Sequence, residues 1–203
     1  MDALRRQEAT EVGRAWAGDL RTLGGVTGAI WAVTVIDWAL GRALAAHAIA
    51  PRTVAGLLGV PLAPLLHGGV GHLLVNTLAL WPLGFLAMQR KRLDFWVVAA
   101  ASTLTSGLGA WALGGTGTLH LGASGVIFGL LGFLLGRGWF EQTWTTVLLS
   151  SIVLWTFGGM LFGVLPFVGA GISWQSHLFG LLGGLAVAQR LAAERRRRGI
   201  GRR

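Results

Sequence analysis

The chain has 203 residues, 53% of them hydrophobic and only 12% charged, with a mean hydropathy of +0.63. A soluble domain carries about twice that charged fraction, and 33 glycines suit helices packed closely in lipid. The absence of Cys excludes disulfides, thiolate metal sites and a cysteine nucleophile, and the absence of Tyr excludes a tyrosine base.

Residues 1–23 read as a charged, helical N-terminal segment in which Arg5, Arg6, Arg14 and Arg21 alternate with acids. No apolar run directly follows the first arginines, so this is not a secretory signal, and its four acids make it a poor transit peptide. Six apolar segments follow, at 24–46, 70–88, 95–113, 122–136, 144–165 and 174–189. A helix needs about 20 residues to cross the hydrocarbon of a bilayer; the fourth segment is shorter than that. Residues 24–190 are thus expected to form an all-α membrane domain, a compact bundle of six transmembrane helices. Residues 191–203 form a basic tail. Between the first two spans, residues 47–69 are too irregular for a span and too apolar for a free linker. They read as a structured loop in the outer interface.

Charge along the chain supports this division. With the N-terminus placed in the cytoplasm, fifteen of the seventeen Lys and Arg residues lie on the cytoplasmic side, leaving only Arg42 and Arg52 outside. That asymmetry follows the positive-inside rule, with both termini cytoplasmic. It also accounts for the net charge of +9 without a nucleic-acid partner; the C-terminal arginines are expected to meet anionic lipid headgroups. One Lys against sixteen Arg fits a GC-rich bacterial genome and hence a bacterial plasma membrane.

Depth then singles out a few polar residues. At ~1.5 Å per helical residue, Ser124 lies about 20 Å from the cytoplasmic Arg137, and His177 lies about 20 Å from Arg190. Asn76 lies about 21 Å from Arg90, with His72 one turn further out. Polar groups in hydrocarbon are costly unless they pair. Gly125, Gly129 and Gly132 repeat at helical spacing, as do Gly180, Gly183 and Gly184, so two helix faces can approach closely and bring Ser124 to His177. A serine hydroxyl becomes a nucleophile when an imidazole takes its proton. No acid lies at this depth on these helices, which argues for a Ser–His dyad. The Ser124 N–H, the Asn76 amide and His72 are candidates for the oxyanion hole.

The motifs that carry these residues resemble the rhomboid family of intramembrane serine proteases. The resemblance runs from about Ala50 to Ala188. It includes Pro51-Arg52, His67, His72-Leu73-Leu74-Val75-Asn76, Gly122-Ala123-Ser124-Gly125 with Gly129 and Gly132, and Ser176-His177-Leu178-Phe179-Gly180. It implies that Ser124 is the nucleophile, His177 its general base, and His72 and Asn76 part of the oxyanion hole. Gly180 would be a close-packing glycine, and His67 would have a structural or water-holding role. The family's minimal bacterial form has six spans and cleaves transmembrane segments of other membrane proteins near their outer ends, with no metal or cofactor. Phe128 stands one turn after Ser124 where many members carry Tyr; its ring can still stack on His177. The substrate helix is expected between the second and fifth spans, with 144–165 and the 166–173 loop as a gate.

Two other classes are compatible with parts of the chain. One is a catalytically inactive rhomboid-like protein that binds membrane clients, against which the intact Ser–His pair argues. The other is a small transporter, which would call for paired broken helices with ion ligands that this sequence lacks. A zinc site is not expected, because no His-Glu-x-x-His occurs. His120 is expected to hydrogen-bond within its loop and His47 to lie at the interface; Asp37, the one acid in the first span, receives no role.

Overall fold

The computed structural model describes residues 2–167, 169 and 171–199. Among the described residues, seven α-helices succeed one another: α1 (Asp2–Ala39), α2 (Val54–Leu58), α3 (Val70–Met88), α4 (Arg92–Leu113), α5 (Ser124–Glu141), α6 (Trp144–Phe157) and α7 (Trp174–Arg197). Tighter 3-10 turns occupy Ala45–His47, Ala63–Leu65 and Gly158–Val164, the last continuing α6. The described residues contain no strand, only an isolated antiparallel bridge between Ile49 and His120. The fold is all-α, as the composition implied.

Helix α5 is the axis of the molecule, packed against α3, α4, α6 and α7. Its buried residues run from Gly125 to Gly138 almost without interruption, with Leu130, Leu131, Phe133 and Leu134 at zero exposure. Close contact with α7 depends on glycine: a methyl at Gly180 would overlap the carbonyl of Gly125, and one at Gly184 the carbonyl of Gly129. With no Cβ in the way, the two backbones reach van der Waals contact, which is where helix association in lipid finds its energy.

Among the described residues, four helical stretches are long and apolar enough to cross a membrane: Thr10–Ala39, Val70–Met88, Arg92–Leu113 and Trp144–Val164. The two remaining long helices, α5 and α7, are not among them. Helix α5 is only 18 residues long, and its last two turns carry Arg137 and Glu141. Helix α7 carries Gln175, Ser176 and His177 in its first turn and arginines in its last.

Several helix ends depart from the expected segments; α4 begins at Arg92 instead of 95, and α7 runs on to Arg197, well past 189. Helix α1 runs unbroken across residues 23–24 and stops at Ala39, not at 46. Gly41 and Arg42 adopt positive φ (62° and 72°), and the Asp37 carboxylate accepts the Ala45 N–H at 2.9 Å, which together end the helix. Helix α5 continues past 136 to Glu141. Ser150 of α6 supports it there, its hydroxyl donating to the Leu134 carbonyl (2.7 Å) and accepting from the Gly138 N–H (3.0 Å). The side chain thus takes the place of one helical bond.

The segment between α1 and α3 is organised by Arg52, whose guanidinium donates to the carbonyls of Ala112 (3.2 Å) and Gly114 (2.7 Å) and to Thr116 Oγ1 (2.7 Å). These bonds satisfy carbonyls left open at the C-terminus of α4. At the far end of α5, Glu141 accepts from Arg90 (3.1 Å), Arg137 (3.2 Å) and Arg195 (3.0 Å). Arg195, expected to face lipid headgroups, is committed to this cluster, and Arg196 donates to the Phe140 carbonyl. Residues 200–203 of the basic tail lie outside the described residues, as do the side chains of Arg5 and Arg6.

Candidate active site

Ser124 is the first residue of α5, and His177 lies in the first turn of α7. The glycine contacts between these helices bring the Ser124 Oγ to 2.9 Å from His177 Nε2. On the other side of the ring, Nδ1 lies 3.0 Å from the Gly163 carbonyl oxygen. A carbonyl only accepts, so Nδ1 carries the proton and Nε2 keeps a lone pair facing the serine hydroxyl. The tautomer a general base needs is therefore set by a backbone group. Gly163 must be small for this: a Cβ there would lie 2.8 Å from the Phe128 ring and 3.1 Å from His177 Nδ1. Phe128 stacks on the imidazole at 4.1 Å between centroids and 7° between planes, fixing its orientation.

Asn76 and His72 flank the same space from α3. Gly122 marks how close they come: with φ at 120°, a Cβ there would sit 2.6 Å from His72 Cε1 and 3.5 Å from Asn76 Nδ2. Only glycine meets both the backbone angle and the crowding. The first intrahelical bond at the start of α5 runs from the Ile127 N–H to the Ala123 carbonyl, so the Ser124 N–H has no partner within the helix. Gly125 lies beneath Ser124 against Ser106 and the Ser176 carbonyl. A cavity of about 700 Å³, lined among others by His72, Asn76, Ser124, Phe128, Gly163 and His177, opens above this group. That is within the size range of ligand-binding clefts.

His67 precedes α3 and is completely buried. Its Nε2 lies 2.9 Å from Asn76 Nδ2 and 3.4 Å from the Ala123 N, and its Nδ1 lies 3.4 Å from Thr34 Oγ1. Burial pushes this imidazole down to about 4, with the neighbouring His72 acting in the same direction, so the ring is neutral near pH 7. His120 reaches beyond its own loop. It pairs with Thr118 Oγ1 (2.9 Å) and with Ser173 Oγ (2.6 Å), the residue that caps α7; burial lowers its pKa as well. His47 is exposed on its 3-10 turn, away from these groups. Asp37 is buried and pairs with Arg42 at 2.7 Å. Among the described residues, no three His, Asp or Glu side chains come together as a metal set.

Sequence reasoning missed the Gly163 carbonyl and Thr34. A carbonyl carries no residue-type signal, and the only trace of Gly163 is one glycine in an apolar stretch. Thr34 is one hydroxyl near the C-terminal end of α1, spaced three residues from Asp37 and therefore on its face.

Residues 55–194 match the Rhomboid domain family. The chain is 39% identical over 181 residues to an uncharacterised Mycobacterium tuberculosis protein, Rv1337, covering 85% of this chain and 75% of that one. It is 31% identical over 137 residues to the putative rhomboid protease YdcA of Bacillus subtilis, covering 66% and 67% of the two chains. It is also 33% identical over 134 residues to the rhomboid protease GluP of Bacillus subtilis, covering 63% of this chain and 24% of that one. Together with the apolar helices, these matches point to an integral membrane protein of a protease family. The chain belongs to the rhomboid family.

Proposed function

We propose that the protein is an intramembrane serine endopeptidase that cleaves transmembrane segments of other membrane proteins. The observation that carries the proposal is the Ser124–His177 hydrogen bond of 2.9 Å, with the opposite ring nitrogen held by Gly163. A substrate helix enters the cavity between α3 and α6 and unwinds locally to present one amide. His177 Nε2 takes the Ser124 proton as Oγ attacks the carbonyl carbon, and the oxyanion is held by the Ser124 N–H, Asn76 and the His72 ring. As the C–N bond breaks, the imidazolium returns the proton to the leaving amine. Water then attacks the acyl-serine with the same base, releasing the new carboxylate and restoring the serine.

The proposal includes six spans with both termini cytoplasmic in a plasma membrane, α5 and α7 crossing under the cover of their neighbours. Helix α6 is the gate: it buries only Thr146 and Val153, against seven residues in α3 and eight in α4, so it is the least tied of these three. In liposomes, the wild-type chain should cleave a single-span substrate within its span, and Ser124→Ala should abolish cleavage without changing the fold. Retained cleavage by Ser124→Ala overturns the assignment. No cleavage of several substrates, with no labelling by a fluorophosphonate, replaces it with a client-binding protein.

A further inference from the structure

The described contacts give the outer end of α1 an unexpected set of partners. Thr34 and Asp37, one turn apart, are both completely buried. The Thr34 hydroxyl donates to the Leu65 carbonyl at 3.2 Å, so the same oxygen is left to accept from His67 Nδ1–H at 3.4 Å. With its proton on Nδ1, His67 presents an unprotonated Nε2 to Asn76 Nδ2 at 2.9 Å. Asp37 of α1 and Arg42, in the turn that follows it, hold the other end of His67 as well. Arg42 Nη1 forms an ion pair with Asp37 Oδ2 at 2.7 Å and donates to the His67 carbonyl at 2.7 Å, and Asp37 Oδ1 accepts the Ala45 N–H. Ring and carbonyl of one histidine are thus gripped by the same helix end.

A bland account exists for the ion pair, because Asp37 helps to end α1. It does not reach the ring of His67, which Thr34 holds independently. An Asn amide can be turned by 180° with little change of shape, and only its nitrogen can donate to an oxyanion. Donation from Nδ2 to His67 Nε2 sets which way the amide faces and leaves its second N–H directed elsewhere. Were Thr34 unable to accept, His67 could move its proton to Nε2; that nitrogen would then call for an acceptor and turn the Asn76 oxygen towards itself.

We infer that Thr34 and Asp37 of the first helix and Arg42 of the turn after it are positioning residues for the oxyanion hole, acting through His67 to hold the Asn76 amide with its N–H towards the reacting carbonyl. This rests on the proteolytic reading above. The relay has a direction, from Leu65 through Thr34 and His67 to Asn76, and the links from Thr34 to His67 and from His67 to Asn76 are buried.

The test compares cleavage of one single-span substrate in liposomes by wild type, Thr34→Val, Thr34→Ser, Asn76→Ala and the Thr34→Val/Asn76→Ala double variant. Val keeps the shape of Thr and removes the acceptor. Removal of one oxyanion donor costs about 100- to 1,000-fold; misdirecting it through Thr34→Val should lower kcat by about 10-fold or more with KM little changed. Thr34→Ser should restore most of the rate. Since Thr34 acts through Asn76, the double variant should be no slower than Asn76→Ala alone. Wild-type kcat in Thr34→Val, or losses that multiply in the double variant, would overturn the inference while leaving the protease assignment intact. Arg42→Gln provides a second variant, with the same kcat loss expected. If wild type cleaves nothing, the proteolytic reading fails first, and ¹⁵N-histidine NMR judges the relay. His67 should be protonated at Nδ1 in wild type and change tautomer in Thr34→Val; an unchanged spectrum refutes it.

Discussion

The two ends of α5 solve the problem of burying polar groups in opposite ways. At the Ser124 end the groups that face the cavity are uncharged in type, a hydroxyl, imidazoles, an amide and backbone carbonyls joined by hydrogen bonds, and the Asp37–Arg42 pair stands behind them against the His67 carbonyl. At the Glu141 end they are ionic, with one buried carboxylate receiving three guanidinium groups from the α3–α4 junction, α5 and α7. Neutral groups can change partners at low cost, as a proton-transferring site requires. A buried carboxylate cannot, because losing its partners leaves a bare charge in a poor solvent. One end is therefore suited to chemistry and the other to holding helices together.

The sharpest way to break this contrast is to remove Glu141. Glu141→Ala should destabilise the protein by about 3–5 kcal/mol, the usual cost of leaving buried charges unpaired, seen as a lower midpoint of thermal unfolding in detergent. Cleavage per folded molecule should stay within about twofold of wild type, because the cluster lies at the far end of the helix from Ser124. A large loss of specific activity at unchanged stability would show that the two ends are coupled.

Acid should act mainly on the other end. An unfolded histidine titrates near 6.5, whereas buried His67 titrates near 4. Between these values the unfolded chain binds the extra proton, so stability rises with pH through this window. The contribution is complete above pH 6.5, and its loss by pH 4 amounts to about 3 kcal/mol. Unfolding midpoints between pH 4.5 and 7.5 should show this slope in wild type and a shallower one in His67→Gln. An identical slope in both would assign the effect to other groups.

The smallest expected effect concerns Phe128, whose ring holds His177 by stacking alone. Phe128→Leu should slow cleavage by about 3- to 10-fold, the equivalent of one aromatic contact, with little change in melting. A null result would mean that the Gly163 bond suffices to orient the imidazole.

Much of this organisation can be read without coordinates. The hydropathy of the segments and the glycine spacings around 125–132 and 180–184 imply a helical membrane bundle with two closely approaching faces, and counting residues from arginines puts Ser124, His177 and Asn76 at one depth. Each of these rests on a local rule: what a residue costs in lipid, or how far a helix rises per residue. Partner choice does not follow from local rules. The Gly163 carbonyl meets His177 across a 3-10 turn, Arg42 chooses the carbonyl of His67 in addition to Asp37, and Thr34 meets a ring 33 residues away. Composition and periodicity determine which elements form and which faces they bury, because burial acts on each side chain independently of its neighbours. Only the tertiary structure decides which buried donor meets which acceptor, because a hydrogen bond needs two groups within about 3 Å and correctly aimed, a condition set by the packing of helices far apart in the chain.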